Sequence, residues 1–188
     1  MISVERTHGQ NEYTTPLLRL NVGLPSHIEI TSEFEYVPKK DRLGDAAVGA
    51  KWAPIQGKLS FGVETLVLLP VREGDDGVGF EGQVLATLRG ENVVVHLNGG
   101  GFHDARSSHA EDGWRGSLLM ELPLNTVRPG AEVFVVKKNG DSADLRVGPG
   151  VIVDLGRFDV RAGLHAGITE KAPDLDFSFW VGFKFPFQ

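Results

Sequence analysis

The 188-residue chain contains no cysteine, which excludes disulfide bonds, thiolate metal sites and cysteine nucleophiles. No stretch approaches the roughly 18–20 consecutive apolar residues of a spanning helix, so a helical membrane protein is excluded as well. The net charge is −6 and no basic cluster is present, which argues against a nucleic-acid partner. No signal peptide is visible, because Met1 to Arg6 has no basic start followed by an apolar core.

The pattern that is present is an alternation of apolar and polar residues with a period of two. Because successive side chains of a β-strand point to opposite faces, such a stretch predicts a strand with one apolar face. Ten runs of roughly 9–13 residues follow this pattern, and a short candidate from Ile2 to His8, whose strand could be truncated, lies at the front. An eleventh full run ends the chain, with Phe177, Phe179, Val181, Phe183, Phe185 and Phe187 on one face.

The connections between these runs alternate in length. Pro25-Ser26 and Gly156-Arg157 are tight, whereas Gly9 to Thr15 and His103 to Gly113 are long and polar. Short turns on one rim and longer loops on the other are typical of an outer-membrane barrel. The sequence therefore predicts one all-β domain over residues 1–188, a transmembrane up-and-down antiparallel β-barrel of about twelve strands.

Alternation alone does not say which face points outward, because a soluble barrel has the same period in the opposite sense. Aromatic residues near strand ends, among them Tyr36, Trp52 and Trp114, fit the two interfacial girdles of a membrane barrel. The polar face is rich in Gly, Ser and Thr, which suits a confined lumen. Together with the alternating turns, these features favour an apolar face toward lipid.

The polar faces are then expected to line the lumen with nearly balanced charges. Charges inside a narrow barrel are costly unless they are paired, so we expect cross-strand ion pairs, with Arg19 and Lys51 flanking the strand of Glu29 to Glu35. The same charges could also select permeants. The lumen-lining candidates are Arg19, Glu29, Glu33, Glu35, Lys51, Glu64, Glu81, Arg89, His96, Arg115, Glu121, Glu132, Arg146, Asp159, Arg161, His165, Trp180 and Lys184.

No catalytic, cofactor or metal site is predicted, and we do not expect an enzyme. Glu33 and Glu35 share a face, but ion pairing explains them more simply than a catalytic pair does. A polar cluster in the longest loop lacks metal-ligand spacing, so a solvated loop is the simpler interpretation. The cluster consists of His103, Asp104, His109, Glu111 and Asp112.

Three segments match a family pattern: Val22 to Ile30, Leu43 to Trp52, and Gly163 to Asp174. The second, with its Gly-Asp followed by Gly-Ala-Lys-Trp, is the most specific. On these segments the chain resembles the outer-membrane family called MetA-pathway of phenol degradation. The resemblance implies a β-barrel in the outer membrane and a suspected transport role without a defined substrate.

The leading hypothesis is a passive channel or transporter in the bacterial outer membrane, with its signal peptide removed. The family resemblance extends the candidate solutes to aromatic or apolar compounds. A plugged barrel with a binding or structural role and a soluble lipid-binding barrel remain as alternatives. The expected partners are the lipid bilayer and, through the C-terminal aromatic strand, the barrel-assembly machinery. Neither the permeant nor the state of the lumen follows from the sequence.

Overall fold

Antiparallel strands account for the alternating pattern along the chain. The computed structural model describes residues 1–7, 10–14, 17–37, 42–72, 74–107 and 109–183. No helix in these ranges is long and apolar enough to cross a membrane. The strands are β1 Ile2–Thr7, β2 Gln10–Thr14, β3 Leu17–Leu24, β4 Ile28–Val37, β5 Arg42–Ile55, β6 Leu59–Leu68, β7 Gly79–Arg89, β8 Val94–Asp104, β9 Glu111–Glu121, β10 Val127–Lys138, β11 Asp144–Asp154, β12 Phe158–Gly167 and β13 Leu175–Phe183.

The strands form one sheet in which the first and last strands of the chain are neighbours. The order is β2-β1-β13-β12-β11-β10-β9-β8-β7-β6-β5-β4-β3. Two backbone hydrogen bonds link the start of β1 to β3, the far end of this order: Met1 N donates to Leu17 O over 2.7 Å, and Leu17 N donates to Met1 O over 3.0 Å. Because β2 and β3 both adjoin β1, they occupy one position in the wall. The predicted up-and-down β-barrel of about twelve strands is confirmed.

The strand pairing is incomplete next to the start of β1. β1 pairs with residues 175–179 of β13. Among the described residues, 180–183 of β13 pair only with β12, and 18–24 of β3 pair only with β4. These two edges form a seam on one side of the barrel, toward the end at which β13 finishes.

The two rims of the barrel differ in their connections. The short-turn rim carries the connections 25–27, 56–58, 90–93, 122–126 and 155–157. Four of these five turns contain a residue with positive φ, a backbone that few residues adopt; Asn125, for example, has φ 53° and Gly156 has φ 80°. The long-loop rim carries the connections 69–78, 105–110, 139–143 and 168–174. The predicted alternation of short and long connections is therefore present over these strands.

Two predicted loops are wrong. Gly9 to Thr15 was expected as a long loop, but Gln10–Thr14 is strand β2, paired with β1 in the register Ser3↔Thr14. Backbone hydrogen bonds hold this segment, which has no apolar alternation to signal it. The loop expected from His103 to Gly113 is shorter, because β8 and β9 continue their pairing out to Asp104 and Glu111. Phe185 and Phe187 of the predicted closing strand lie outside the described residues.

Burial in this barrel is the reverse of burial in a water-soluble domain. The carboxylate-bearing side chains of Glu64 and Glu121 are buried, with 4% and 3% of their surfaces exposed. Leu97 and Phe183, in contrast, are 58% and 61% exposed. Five described apolar residues are buried, and three of them, Ala47, Leu66 and Leu68, form a small cluster. The apolar faces of the strands therefore point outward, and the polar faces point into the lumen.

We expect Gly148→Ala to destabilise the barrel. β11 and β12 lose their regular pairing around Gly148 and Pro149, and a Cβ on Gly148 would overlap the Leu164 carbonyl oxygen. Forcing these strands apart should lower the free energy of unfolding by about 1–3 kcal/mol. Gly23→Ala is the control, since a Cβ there meets nothing within 4 Å. Urea unfolding followed by circular dichroism measures both variants, and equal stability would contradict the close approach.

Candidate functional site

The inner faces of the strands enclose a cavity of about 1860 Å³. Residues 56, 57, 156 and 157 of the short turns line it, and no described residue of the long loops does. The cavity therefore occupies the half of the lumen that adjoins the short-turn rim. The predicted lumen residues that line it are Arg19, Glu29, Lys51, Glu64, Arg89, His96, Glu121, Glu132, Asp159, Arg161, His165 and Trp180.

The other predicted residues lie beside this cavity or farther toward the long-loop rim. Glu81 and Arg115 form an ion pair next to a smaller pocket that Glu64 also lines. Glu35 lies on β4 and is half-buried. Glu33 and Arg146 belong to ion-pair clusters described below. Lys184 lies outside the described residues.

Two arginines in the cavity wall were not among the predicted residues. Arg128 is the second residue of β10 and shares an inward face with Gly130 and Glu132. Counting the alternation backward from Glu132 would have found it. Arg157 lies in the turn between β11 and β12. No period-two pattern identifies a turn residue, because a turn has no fixed face.

A central cluster of Arg19, Glu33, Glu64 and Gln83 joins strands that are not neighbours. Arg19 Nη1 lies 3.0 Å from Glu33 Oε1, and its Nη2 donates to Glu64 Oε1. Gln83 Nε2 donates to the other oxygen of Glu64. Arg19 on β3 thus reaches β6, past β4 and β5. This contact crosses part of the lumen, which narrows the interior at this level.

A second group of polar contacts surrounds Glu121 near the short-turn rim. Glu121 Oε2 accepts a hydrogen bond from Arg128 Nη1 at 3.0 Å, and His96 Nε2 lies 3.3 Å from Glu121 Oε1. Thr87 Oγ1 is 2.9 Å from the other ring nitrogen of His96. Arg128 therefore partners one oxygen of the buried carboxylate and offsets part of the cost of burying its charge, whereas His96 Nε2 lies near the other oxygen without a hydrogen bond among the described residues.

The Arg146 cluster lies in the wall on the long-loop side of the cavity. Its guanidinium lies 2.7 Å from Glu5, 2.6 Å from Asp144 and 3.2 Å from Asp176. These acids come from β1, β11 and β13, so one arginine ties together strands from both ends of the chain. His165 lies 3.8 Å from Asp176 and connects the cluster to the cavity.

The Arg106 cluster anchors two long loops to the barrel. Arg106 donates to Asp104 Oδ2 over 2.7 Å and also pairs with Asp45 of β5, which lies 3.3 Å from Arg72. Its side chain is 8% exposed. Hydrogen bonding to Asp104 is the largest influence that raises the pKa of Arg106 above its ordinary value. Arg106 therefore stays charged at the long-loop rim.

The polar cluster that was predicted for the loop after His103 does not form a metal centre. His103 and Asp104 lie on β8, and Glu111 and Asp112 lie on β9. His103 Nδ1 lies 2.6 Å from Asp112 Oδ1, with both side chains about half exposed. Across the part of the chain that the structure describes, no three His, Asp or Glu side chains gather as metal ligands. What the lumen presents chemically is a set of paired charges around open space. Such a site can bind or select a solute by its field.

Comparisons with known proteins support the fold and nothing finer. No protein-family model matches the chain, and no curated protein matches it. A porin whose structure was refined at 1.8 Å is similar, with a TM-score of 0.55 and 14% sequence identity. The similarity covers 93% of this chain and 63% of the porin, so the chain spans less than two thirds of its length. The chain has a porin-like β-barrel fold.

We expect Arg146→Gln to be strongly destabilising. It would leave the carboxylates of Glu5, Asp144 and Asp176 facing one another without a cation, at a cost of about 3–5 kcal/mol in the free energy of unfolding. Adding Asp176→Asn should recover part of this loss by removing one negative charge. Urea unfolding at neutral pH measures these variants.

The control for Arg146→Gln is Lys171→Gln. Lys171 forms an exposed ion pair with Asp141 at 3.1 Å, and such pairs contribute about 0–1 kcal/mol. If Arg146→Gln lowers the free energy of unfolding by no more than Lys171→Gln does, the Arg146 cluster does not hold the strands together.

Proposed function

We propose that the protein is an outer-membrane β-barrel that acts as a passive channel for small solutes. The observation that carries the proposal is the reversed burial, with large apolar side chains around the outside and ion pairs inside. In water an apolar surface of this extent would drive association. Facing lipid it is stable, and a closed barrel satisfies the backbone hydrogen bonds that a bilayer cannot.

The polar interior argues against the alternative of a soluble lipid-binding barrel. A barrel that holds a lipid in water needs an apolar lumen and a polar exterior. Here Arg19, Glu64 and Arg128 lie inside, while Phe80, Leu97 and other apolar side chains lie outside. The charges and the apolar residues are on the wrong faces for that function.

The cavity favours a channel over a barrel that only binds or scaffolds. A space of about 1860 Å³ reaches the short-turn rim, which in outer-membrane barrels faces the periplasm. A barrel of twelve strands is intermediate in diameter between one of about eight strands, whose interior is filled by side chains, and one of about sixteen, which encloses a wide pore. The contact of Arg19 with Glu64, which crosses part of the lumen, then narrows the path and limits passage to small solutes.

The nature of the solute is the finer part of the proposal. The family resemblance suggests aromatic or apolar compounds, and Trp180 is the tryptophan in the cavity wall that an aromatic ring would meet. Phe177, Phe179 and Phe183 are exposed on β13, consistent with recognition of this strand by the assembly machinery.

Conductance across a planar lipid bilayer tests the channel. We expect the refolded barrel to produce discrete, voltage-independent current steps, small because the lumen is narrow. A correctly folded barrel that inserts but carries no current above background would favour the plugged alternative. A monodisperse monomer in the absence of detergent would contradict the membrane location itself.

A charge on the outer face should be costly in a membrane. Val63 is exposed in the middle of β6, and Val63→Arg near the bilayer midplane should lower stability by about 2–4 kcal/mol. Asn21→Arg is the matched control, because Asn21 lines the cavity. Unfolding of both variants from lipid vesicles in urea measures the difference, and equal stability would mean that Val63 does not face lipid.

A further inference from the structure

The ion pairs in the cavity wall do not present their two charges equally. In three of them the carboxylate is buried in the wall, whereas its cationic partner extends into the open space. This arrangement follows from side-chain length, because a long arginine stem carries its charge away from the strand. The exposed side-chain fractions are 28% for Arg19 against 4% for Glu64, 31% for Arg128 against 3% for Glu121, and 52% for Arg161 against 10% for Asp159.

Two further arginines at the cavity have no acidic partner among the described residues. Arg89 donates to the Gly57 carbonyl oxygen over 3.0 Å and to Ser60 Oγ over 2.6 Å, both neutral acceptors. Arg157 is exposed in the turn between β11 and β12 and lines the cavity. Each therefore adds a positive charge that the wall does not neutralise.

The exposed acids of the cavity do not cancel these cations. Glu29 and Glu132 are each 32% exposed. Lys51, 3.9 Å away, offsets Glu29, whereas Glu132 has only His165 at 3.6 Å, which is charged only when protonated, so Glu132 leaves one negative charge against the several exposed arginines. In the short turns at the mouth, Lys58 and Glu91 are both exposed and offset each other. The charges that reach the open space are thus mainly positive.

We propose that this cavity is an anion-preferring vestibule, in which Arg89, Arg157 and Arg161 attract small anions, carboxylates among them. The inference rests on the proposed function and gives the channel a permeant class. A cleft lined by one sign of charge and walled by low-dielectric material concentrates ions of the opposite sign. The overall charge of the protein, −6, would by itself suggest the opposite preference.

Reversal potentials in a KCl gradient test the selectivity. We expect chloride to be more permeant than potassium, and the permeability ratio to fall about twofold or more in Arg89→Gln, Arg157→Gln and Arg161→Gln, most in the triple variant. Lys171→Gln removes the same charge at the long-loop rim and should leave the ratio unchanged. Circular dichroism and resistance to urea establish that each variant is folded.

Quenching of Trp180 fluorescence tests the vestibule without any conduction. The chain has three tryptophans, and Trp52 and Trp114 lie on the outer face, about half exposed. In the Trp52→Phe, Trp114→Phe background Trp180 reports alone, directly opposite Arg161 in the β12–β13 register. Because iodide is intrinsically the stronger quencher of indole, each quenching constant is divided by that of free N-acetyltryptophanamide. We expect this normalised quenching to be stronger for iodide than for caesium at equal ionic strength, and the three Arg→Gln changes to remove the difference.

The two measurements separate this inference from the proposed function. If the channel conducts but prefers potassium, or if its selectivity is unchanged by the three Arg→Gln substitutions, the anion preference is overturned and the channel function still stands. A barrel that does not conduct overturns the channel, and quenching alone then decides on the vestibule. Equal quenching by iodide and caesium overturns the vestibule in either case.

Discussion

Closure of the sheet is the constraint on which the rest of the structure depends. The sheet closes because β1 pairs with β13 and because two backbone hydrogen bonds between Met1 and Leu17 join the start of β1 to β3. A closed sheet has one inside and one outside, so each residue's face is set by whether its position is odd or even. The sorting of ion pairs inward and phenylalanines outward follows from this geometry.

The interior must then accommodate many charges in little space. An isolated buried carboxylate such as Glu121 would cost several kcal/mol, and the hydrogen bond from Arg128 offsets part of this cost. The same requirement produces the Arg146 cluster, where one guanidinium faces three acids from different strands. Ion pairs here replace the hydrophobic core that a soluble domain of this size would have.

The sequence predicted the faces of the strands and the ion pairs between neighbouring strands, Arg19 with Glu33 and Lys51 with Glu29, but not the contacts between distant strands. Alternation determines that Arg19 and Glu64 point inward, but it carries no information on which strands face each other across the barrel. The pair joins β3 to β6, a contact that depends on barrel diameter and side-chain reach. Strand β2 was not predicted because it is held by backbone pairing with β1 and has no apolar alternation. Arg157 was not predicted because it lies in a turn, where the alternation does not apply.

The two halves of the lumen differ because their arginines differ in exposure. Toward the long loops, the side chains of Arg146 and Arg106 are 14% and 8% exposed. Acidic side chains surround both, so their charges are neutralised within the wall. Toward the short turns, Arg161 and Arg157 extend into open space. If the cavity is the proposed anion-preferring vestibule, a solute entering from the short-turn rim would meet these exposed cations before the paired charges deeper in the barrel.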